Sequence, residues 1–251
     1  MNGESGARLP KAVAFVDYEH WYISLKNNYG LQPNIRDWFE ELNKNYNLIE
    51  VTFFADFSHK SLADEIGRIR LFSNKIIDTR SPNGVQKDYT DFIILDNMYQ
   101  KALSSDDIDV FILFSGDGHF SSVTAFLKNF YRKEVVVYGV NGSFSKQLRE
   151  TASSFRVMPT EKDINDSFYG YIFDYLKTSR SPTYNDAIKE VTEKSRAKGP
   201  EKQRITNAMK SLMDAEIISE RSITAGKGKK KMLFVDWEKA EKSGLYCEKV
   251  H

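Results

Sequence analysis

A chain of 251 residues, 41% of them hydrophobic, can bury one large core or two modest ones. No stretch approaches the roughly 18 apolar residues of a membrane span, and Met1 to Pro10 lacks the apolar centre of a secretory signal, so a cytoplasmic protein with no membrane partner is expected. The net charge of +1 hides an asymmetry: residues 1–160 carry 18 Lys+Arg against 20 Asp+Glu, residues 161–251 carry 18 against 15, and Lys194 to Lys231 carry 11 against 4, a local excess that points to a polyanionic partner.

Residues 1–10 read as a flexible leader. Ala12 to Val16 form an all-apolar run that ends on a carboxylate, Asp17. Trp21–Asn28 and Asn34–Asn45 carry helical spacing, with Gly30 and Pro33 breaking the chain between them. A strand over Glu50–Asp56, a helix over Leu62–Phe72, a short strand over Lys75–Asp78 and a turn at Ser81-Pro82-Asn83-Gly84 follow. The next helix opens at Lys87 and runs to Leu103, with Phe92, Leu95 and Tyr99 as its apolar stripe. Its early acids, Asp88 and Asp91, suit the positive end of a helix dipole.

Val110 to Phe114 form a second unbroken apolar run, the pattern of a strand buried on both faces of a parallel sheet. It stops at Ser115-Gly116-Asp117-Gly118, where two glycines let the backbone approach a bound group closely. A helix over Phe120–Phe130, a strand over Val135–Val140, a helix over Ser143–Ala152 and a strand over Phe155–Met158 complete the region.

Strands alternating with helices predict an α/β domain, a three-layer α/β/α sandwich around a mainly parallel sheet. In such a sheet Asp17 and Asp117 leave from the same edge and, on neighbouring strands, converge on one cation. The lone cysteine, Cys247, excludes a multi-cysteine zinc site, so oxygen ligands would hold that ion. Such ligands select Mg²⁺ or Mn²⁺, and the chemistry they suggest is phosphodiester hydrolysis, in which the metal lowers the pKa of water and offsets charge on the phosphate. Asp56, at the end of the second strand, is a reserve candidate. Asp96 lies about 140° round its helix from Asp91 and points elsewhere.

Ala14 to Trp21, Lys87 to Asp91, Ser115-Gly116-Asp117-Gly118-His119-Phe120 and Val135 to Gly139 together resemble the NYN domain, a branch of the PIN-like nuclease superfamily that includes bacterial LabA-like proteins. The resemblance covers residues 11–160. The family pattern is Asp-x-Glu-Asn after the first strand, Lys-x-x-x-Asp opening a middle helix and Ser-Gly-Asp-x-Asp-Phe after the fourth. It implies that Asp17, Asp91 and Asp117 are metal-binding, catalytic acids, that Ser115 orients the site and that Lys87 contacts phosphate. The chain departs from the pattern at His20, in place of Asn, and at His119, in place of the second Asp. His119 can still bind Mn²⁺, contact a phosphate or act as an acid or base near neutral pH. Tyr18, Trp21 and Tyr89 stand beside these positions as candidate stacking surfaces for unpaired bases.

Residues 161–251 read as a second domain after a polar linker, Pro159–Asp163. Ile164–Lys177 is amphipathic, with Phe168, Ile172, Phe173 and Leu176 on one face. Thr183 or Asn185 caps a second helix over Asp186–Arg196, and Lys198-Gly199-Pro200 turn into a third over Glu201–Ala215. There Ile205, Ala208, Met209 and Leu212 face inward and Lys202, Arg204, Asn207 and Lys210 outward. Ile217–Ser222 and Lys231–Asp236 form a hairpin around a turn rich in glycine and lysine. Three helices and a hairpin resemble a winged helix-turn-helix, with the third helix and the hairpin tip (Gly226–Lys231, including Lys229, Lys230 and Lys231) as nucleic-acid contacts. LOTUS-type winged helices resemble this arrangement and imply RNA or a protein partner rather than duplex DNA.

The expected function is a divalent-metal-dependent ribonuclease acting on single-stranded RNA that a basic winged helix delivers. The alternative is an RNA-binding or regulatory adaptor that keeps the fold without the full acid set. A phosphatase or nucleotide-binding protein is disfavoured, because the chain has neither Gly-x-x-x-x-Gly-Lys-Ser/Thr nor an Asp-x-Asp nucleophile motif.

Overall fold

The computed structural model describes residues 8–81, 89–195, 200–225, 228–243 and 245–246. Lys87, Asp88, most of the turn after Ser81, the turn at Lys198-Gly199, the hairpin-tip residues Gly226 and Lys227, and Cys247 lie outside them. The chain divides into two compact units, residues 1–28 with 32–158 and residues 29–31 with 159–251. Among the described residues no helix is long and apolar enough to cross a membrane.

The first unit runs β1 (Lys11–Asp17), α1 (Tyr18–Tyr29), α2 (Ile35–Asn45), β2 (Asn47–Ala55), α3 (Lys60–Ala63), α4 (Glu65–Arg70), β3 (Lys75–Asp78), α5 (Tyr89–Ser104), β4 (Val110–Phe114), α6 (Ser121–Asn129), β5 (Glu134–Val140), α7 (Lys146–Thr151) and β6 (Ser154–Met158). The six strands form one sheet in the order β3-β2-β1-β4-β5-β6, and every neighbouring pair is parallel. The predicted α/β class is therefore observed. Alternate strand residues explain the three layers. Val13, Phe15, Phe111, Leu113, Val135 and Val137 pack against α5, α6 and α7. Residues of opposite parity meet α1 and α2: Trp21 stacks on Phe114 with ring centres 4.0 Å apart, and Trp38 meets Tyr138 edge-on at 5.7 Å. Tyr18 and Trp21 are fully buried in this layer and cannot serve as surfaces for stacking bases.

Two local readings need correction. The helix expected over residues 62–72 is broken into α3 and α4 at Asp64. In α5 the inward stripe is Asp91, Ile94, Met98 and Ala102, whereas Phe92 is 59% exposed. Leu95 and Tyr99 are only flank residues of that core. The spacing of three and four residues holds for both stripes. The observed one turns Asp91 toward the sheet edge, which the more apolar reading would have turned away.

The second unit contains α8 (Glu161–Thr178), α9 (Tyr184–Ser195), α10 (Pro200–Asp214), β7 (Ile218–Ala225), β8 (Gly228–Val235) and α11 (Trp237–Lys242). The expected linker is shorter than read: Thr160 and Asp163 form a reciprocal capping box that starts α8 at Glu161. Thr183 Oγ1 accepts from the Asp186 amide at 3.2 Å and so begins α9. Ile205, Ala208, Met209 and Leu212 join Phe168, Ile172, Phe173 and Leu176 in a separate core. The antiparallel hairpin is longer than expected, with Lys229, Lys230 and Lys231 in β8 opposite Thr224, Ile223 and Ser222. Ala240 of α11, a helix the sequence reading did not foresee, closes the core.

Candidate metal centre

In the order β3-β2-β1-β4-β5-β6 the direction of strand succession reverses between β1 and β4, and the crevice outside such a reversal is where open α/β sheets bind ligands. Asp17 is the last residue of β1, whose Val16 pairs with Phe114 at the end of β4. The Ser115-Gly116-Asp117-Gly118 loop leaves β4 at that level. Asp91, in the first turn of α5, comes to the same place. A cleft of about 620 Å³ opens here, with Asp17, Asp91 and Asp117 all in its wall.

Ser115 ties the loop to β1. Its Oγ donates to Asp17 Oδ2 at 3.1 Å and accepts from the Asp117 amide at 3.2 Å. Asp17 Oδ1 also accepts from the His20 amide at 3.0 Å. Asp117 Oδ1 accepts from the His119 amide at 2.9 Å and caps the short turn Gly118–Phe120 that leads into α6. Gly116 is a packing requirement, since a Cβ there would overlap the Ser143 carbonyl and the His20 ring. The amide of Ser145 donates to the Gly116 carbonyl at 2.8 Å and fixes the loop from the other side.

One oxygen each of Asp91 and Asp117 and one ring nitrogen of His119 lie within 4.8 Å of one another. His119 Nδ1 is 3.4 Å from Asp91 Oδ2 and 3.4 Å from Asp117 Oδ1. The tight group is therefore Asp91, Asp117 and His119. Asp17, whose carboxylate is taken by Ser115 and His20, stands beside the group as the most buried acid of the cleft. Burial pushes the Asp17 carboxyl up to about 7; the charges of Asp91 and Glu19 add to the rise, and the hydrogen bonds from His20 and Ser115 oppose it. Burial lowers the His20 imidazole, against the Asp117 charge and the Ser143 carbonyl, so it is neutral near pH 7.

Asp56 also lines the cleft. Asp96 is exposed and accepts from Gln100 at 2.7 Å, away from the group as its spacing predicts. Tyr89 reaches the cleft wall. Glu19, Ser58, His59 and Arg80 also line it, although none was singled out in the sequence. The signal for Glu19 was present, two residues after Asp17 in the first motif. Arg80 follows β3 in no motif, and strand order alone brings it to the cleft.

In the second unit Lys202, Asn207, Lys210, Lys229 and Lys230 are exposed. Arg204 is half-buried and paired with Glu161 at 2.8 Å, and Lys231 is paired with Glu220 at 2.9 Å.

Strand order, helices on both faces and acids gathered at the reversal define a PIN-like α/β domain. Residues 11–159 match the NYN domain, and the chain belongs to that family. Membership suggests nuclease-like function, and the group of Asp91, Asp117 and His119 could hold a metal ion. A crystal structure of a protein of unknown function from Vibrio parahaemolyticus is similar, with a TM-score of 0.54 and 21% identity over 63% of this chain and 97% of that one. That likeness bears on the fold. No curated protein matches.

Proposed function

We propose that the protein is a divalent-metal-dependent ribonuclease that cuts single-stranded RNA. The convergence of Asp91, Asp117 and His119 within 4.8 Å at the sheet reversal carries this reading. The donor set fits a hard or borderline cation: two carboxylates suit Mg²⁺, which keeps several waters, and an imidazole favours Mn²⁺. Asp91, Asp117 and His119 would hold it, with Asp17 as a third acid. Once bound, the cation would supply Lewis acidity, activating water and offsetting phosphate charge.

The chain's own groups do the rest. Ser115 fixes Asp17 and the Asp117 amide in one register, so the acids are positioned before substrate arrives. Asp17, raised to about 7, is poised to take or release a proton near neutral pH. Lys87 would contact phosphate. The second unit would act as a winged helix that holds RNA through Lys202, Asn207, Lys210, Lys229 and Lys230, while Arg204 and Lys231 would first have to leave Glu161 and Glu220.

In the expected test, Asp117→Asn abolishes Mn²⁺-dependent cleavage of single-stranded RNA by pure protein. Unchanged cleavage would remove Asp117 from the mechanism. A second reading, an RNA-binding adaptor, draws on His119 standing where the family pattern has a carboxylate. Calorimetry showing RNA affinity without Mg²⁺ or Mn²⁺ binding at millimolar concentration would favour it.

A further inference from the structure

The C-terminal ends of β3, β2, β1 and β4 lead in that order to Arg80, Asp56, Asp17 and Asp117, all in the wall of one cleft. Neighbouring strands lie about 4.8 Å apart, so the backbone at the β3 end stands about 10 Å from the β1 end. Among the described residues of the cleft wall, Arg80 is the permanently charged cation.

Its segment is firmly anchored. The Thr79 amide donates to the Ala55 carbonyl at 2.9 Å, and the Arg80 amide donates to Asp78 Oδ1 at 3.1 Å. Buried Thr79 places its Oγ1 2.7 Å from Oγ1 of Thr90, the residue before Asp91. The segment bearing Arg80 is thus tied to the helix start that carries the metal-centre acid. The guanidinium is more loosely held. Its contact with Asp78 is 3.4 Å long, with the two side chains 58% and 47% exposed, an arrangement worth little against water. Asp56 is anionic: burial pushes its carboxyl up, but the bonds from Ser58 and the charges of His59 and Arg80 outweigh that and hold it low. A carboxylate so placed draws the guanidinium toward the cleft without using its fork.

We propose that Arg80 holds a second phosphate of the RNA strand, roughly one or two nucleotides from the one at the acid group, so that the cleft selects an oligonucleotide over a single phosphodiester. The fork would take that phosphate in bidentate fashion, which is the geometry arginine offers and lysine does not. The proposal rests on the nuclease reading for the place of the first phosphate.

The test compares wild type, Arg80→Ala and Arg80→Lys on a dinucleoside monophosphate, a trinucleoside diphosphate and a 5′-phosphorylated dinucleotide. With Mn²⁺ present, Arg80→Ala should raise KM for the trinucleotide about 10- to 100-fold at nearly constant kcat and leave the dinucleoside monophosphate unaffected. Arg80→Lys should recover only part of the loss. A similar KM effect on the 5′-phosphorylated dinucleotide would show that a terminal phosphate also occupies the subsite, and an effect confined to the trinucleotide would restrict it to internal phosphates; either supports the proposal. Equal KM values for wild type and Arg80→Ala on the two-phosphate substrates, or an equal rise on all three, would overturn it. If wild type cuts none of them, calorimetry of the trinucleotide in EDTA decides: affinity lost in Arg80→Ala keeps the subsite while the nuclease reading falls, and affinity unchanged removes the subsite.

Discussion

Ser115 and Asp17 lie 98 positions apart in the chain and are joined by a 3.1 Å hydrogen bond from the serine Oγ to the buried carboxylate. The bond gives the acid an anchor without giving it a counter-charge, and its protonation therefore feeds back on folding. An unfolded Asp titrates near 3.8, whereas Asp17 titrates at about 7. Between those values the folded state holds a proton that the unfolded state has released, so stability falls as pH rises through this window and levels off above it. Metal-free wild type should lose on the order of a few kcal/mol relative to Asp17→Asn between pH 4 and pH 7. Denaturant melts of both proteins in EDTA across that range check the difference.

Gly116 carries a steric prediction. Alanine there must displace the Ser143 carbonyl or the His20 ring, so Gly116→Ala should destabilise the protein by about 1–3 kcal/mol and reduce Mn²⁺ affinity. Thermal melting and calorimetry measure the two effects. A variant with wild-type values for both would show that the loop has room.

His119 stands in contact with both carboxylates where the family pattern has an acid. His119→Asp adds an oxygen donor and a negative charge. It should tighten Mg²⁺ binding by about tenfold and shift the metal preference away from Mn²⁺. Titrations of activity and of heat with each ion report the shift.

The hairpin makes a salt prediction. Lys231 already has Glu220, so exposed Lys229 and Lys230 should supply most of the phosphate contact. Replacing both with Gln should flatten the slope of log K against log salt for single-stranded RNA by roughly 1 to 2, while replacing Lys231 alone should change it less. Anisotropy titrations at several salt concentrations give the slopes.

The strands were legible in the sequence because burial on both faces leaves little but apolar runs, as in Val110–Phe114. The acids at their ends were legible because a carboxylate closing such a run breaks the pattern. The inward face of α5 was not, since Phe92 is as apolar as Ile94 and only the packed sheet decides between them. The break at Asp64 and helix α11 were missed for a related reason: short helices owe their existence to packing more than to their own residues. Arg80 was hidden because its neighbours in space are strand ends set side by side by sheet order.

That sheet order also constrains synthesis. Central β1 pairs with β2, which follows closely in the chain, and with β4, which begins at Val110. The pocket therefore cannot assemble on the ribosome until well over a hundred residues have emerged. A nascent chain of this protein therefore carries no complete acid group until its fourth strand and the loop after it arrive.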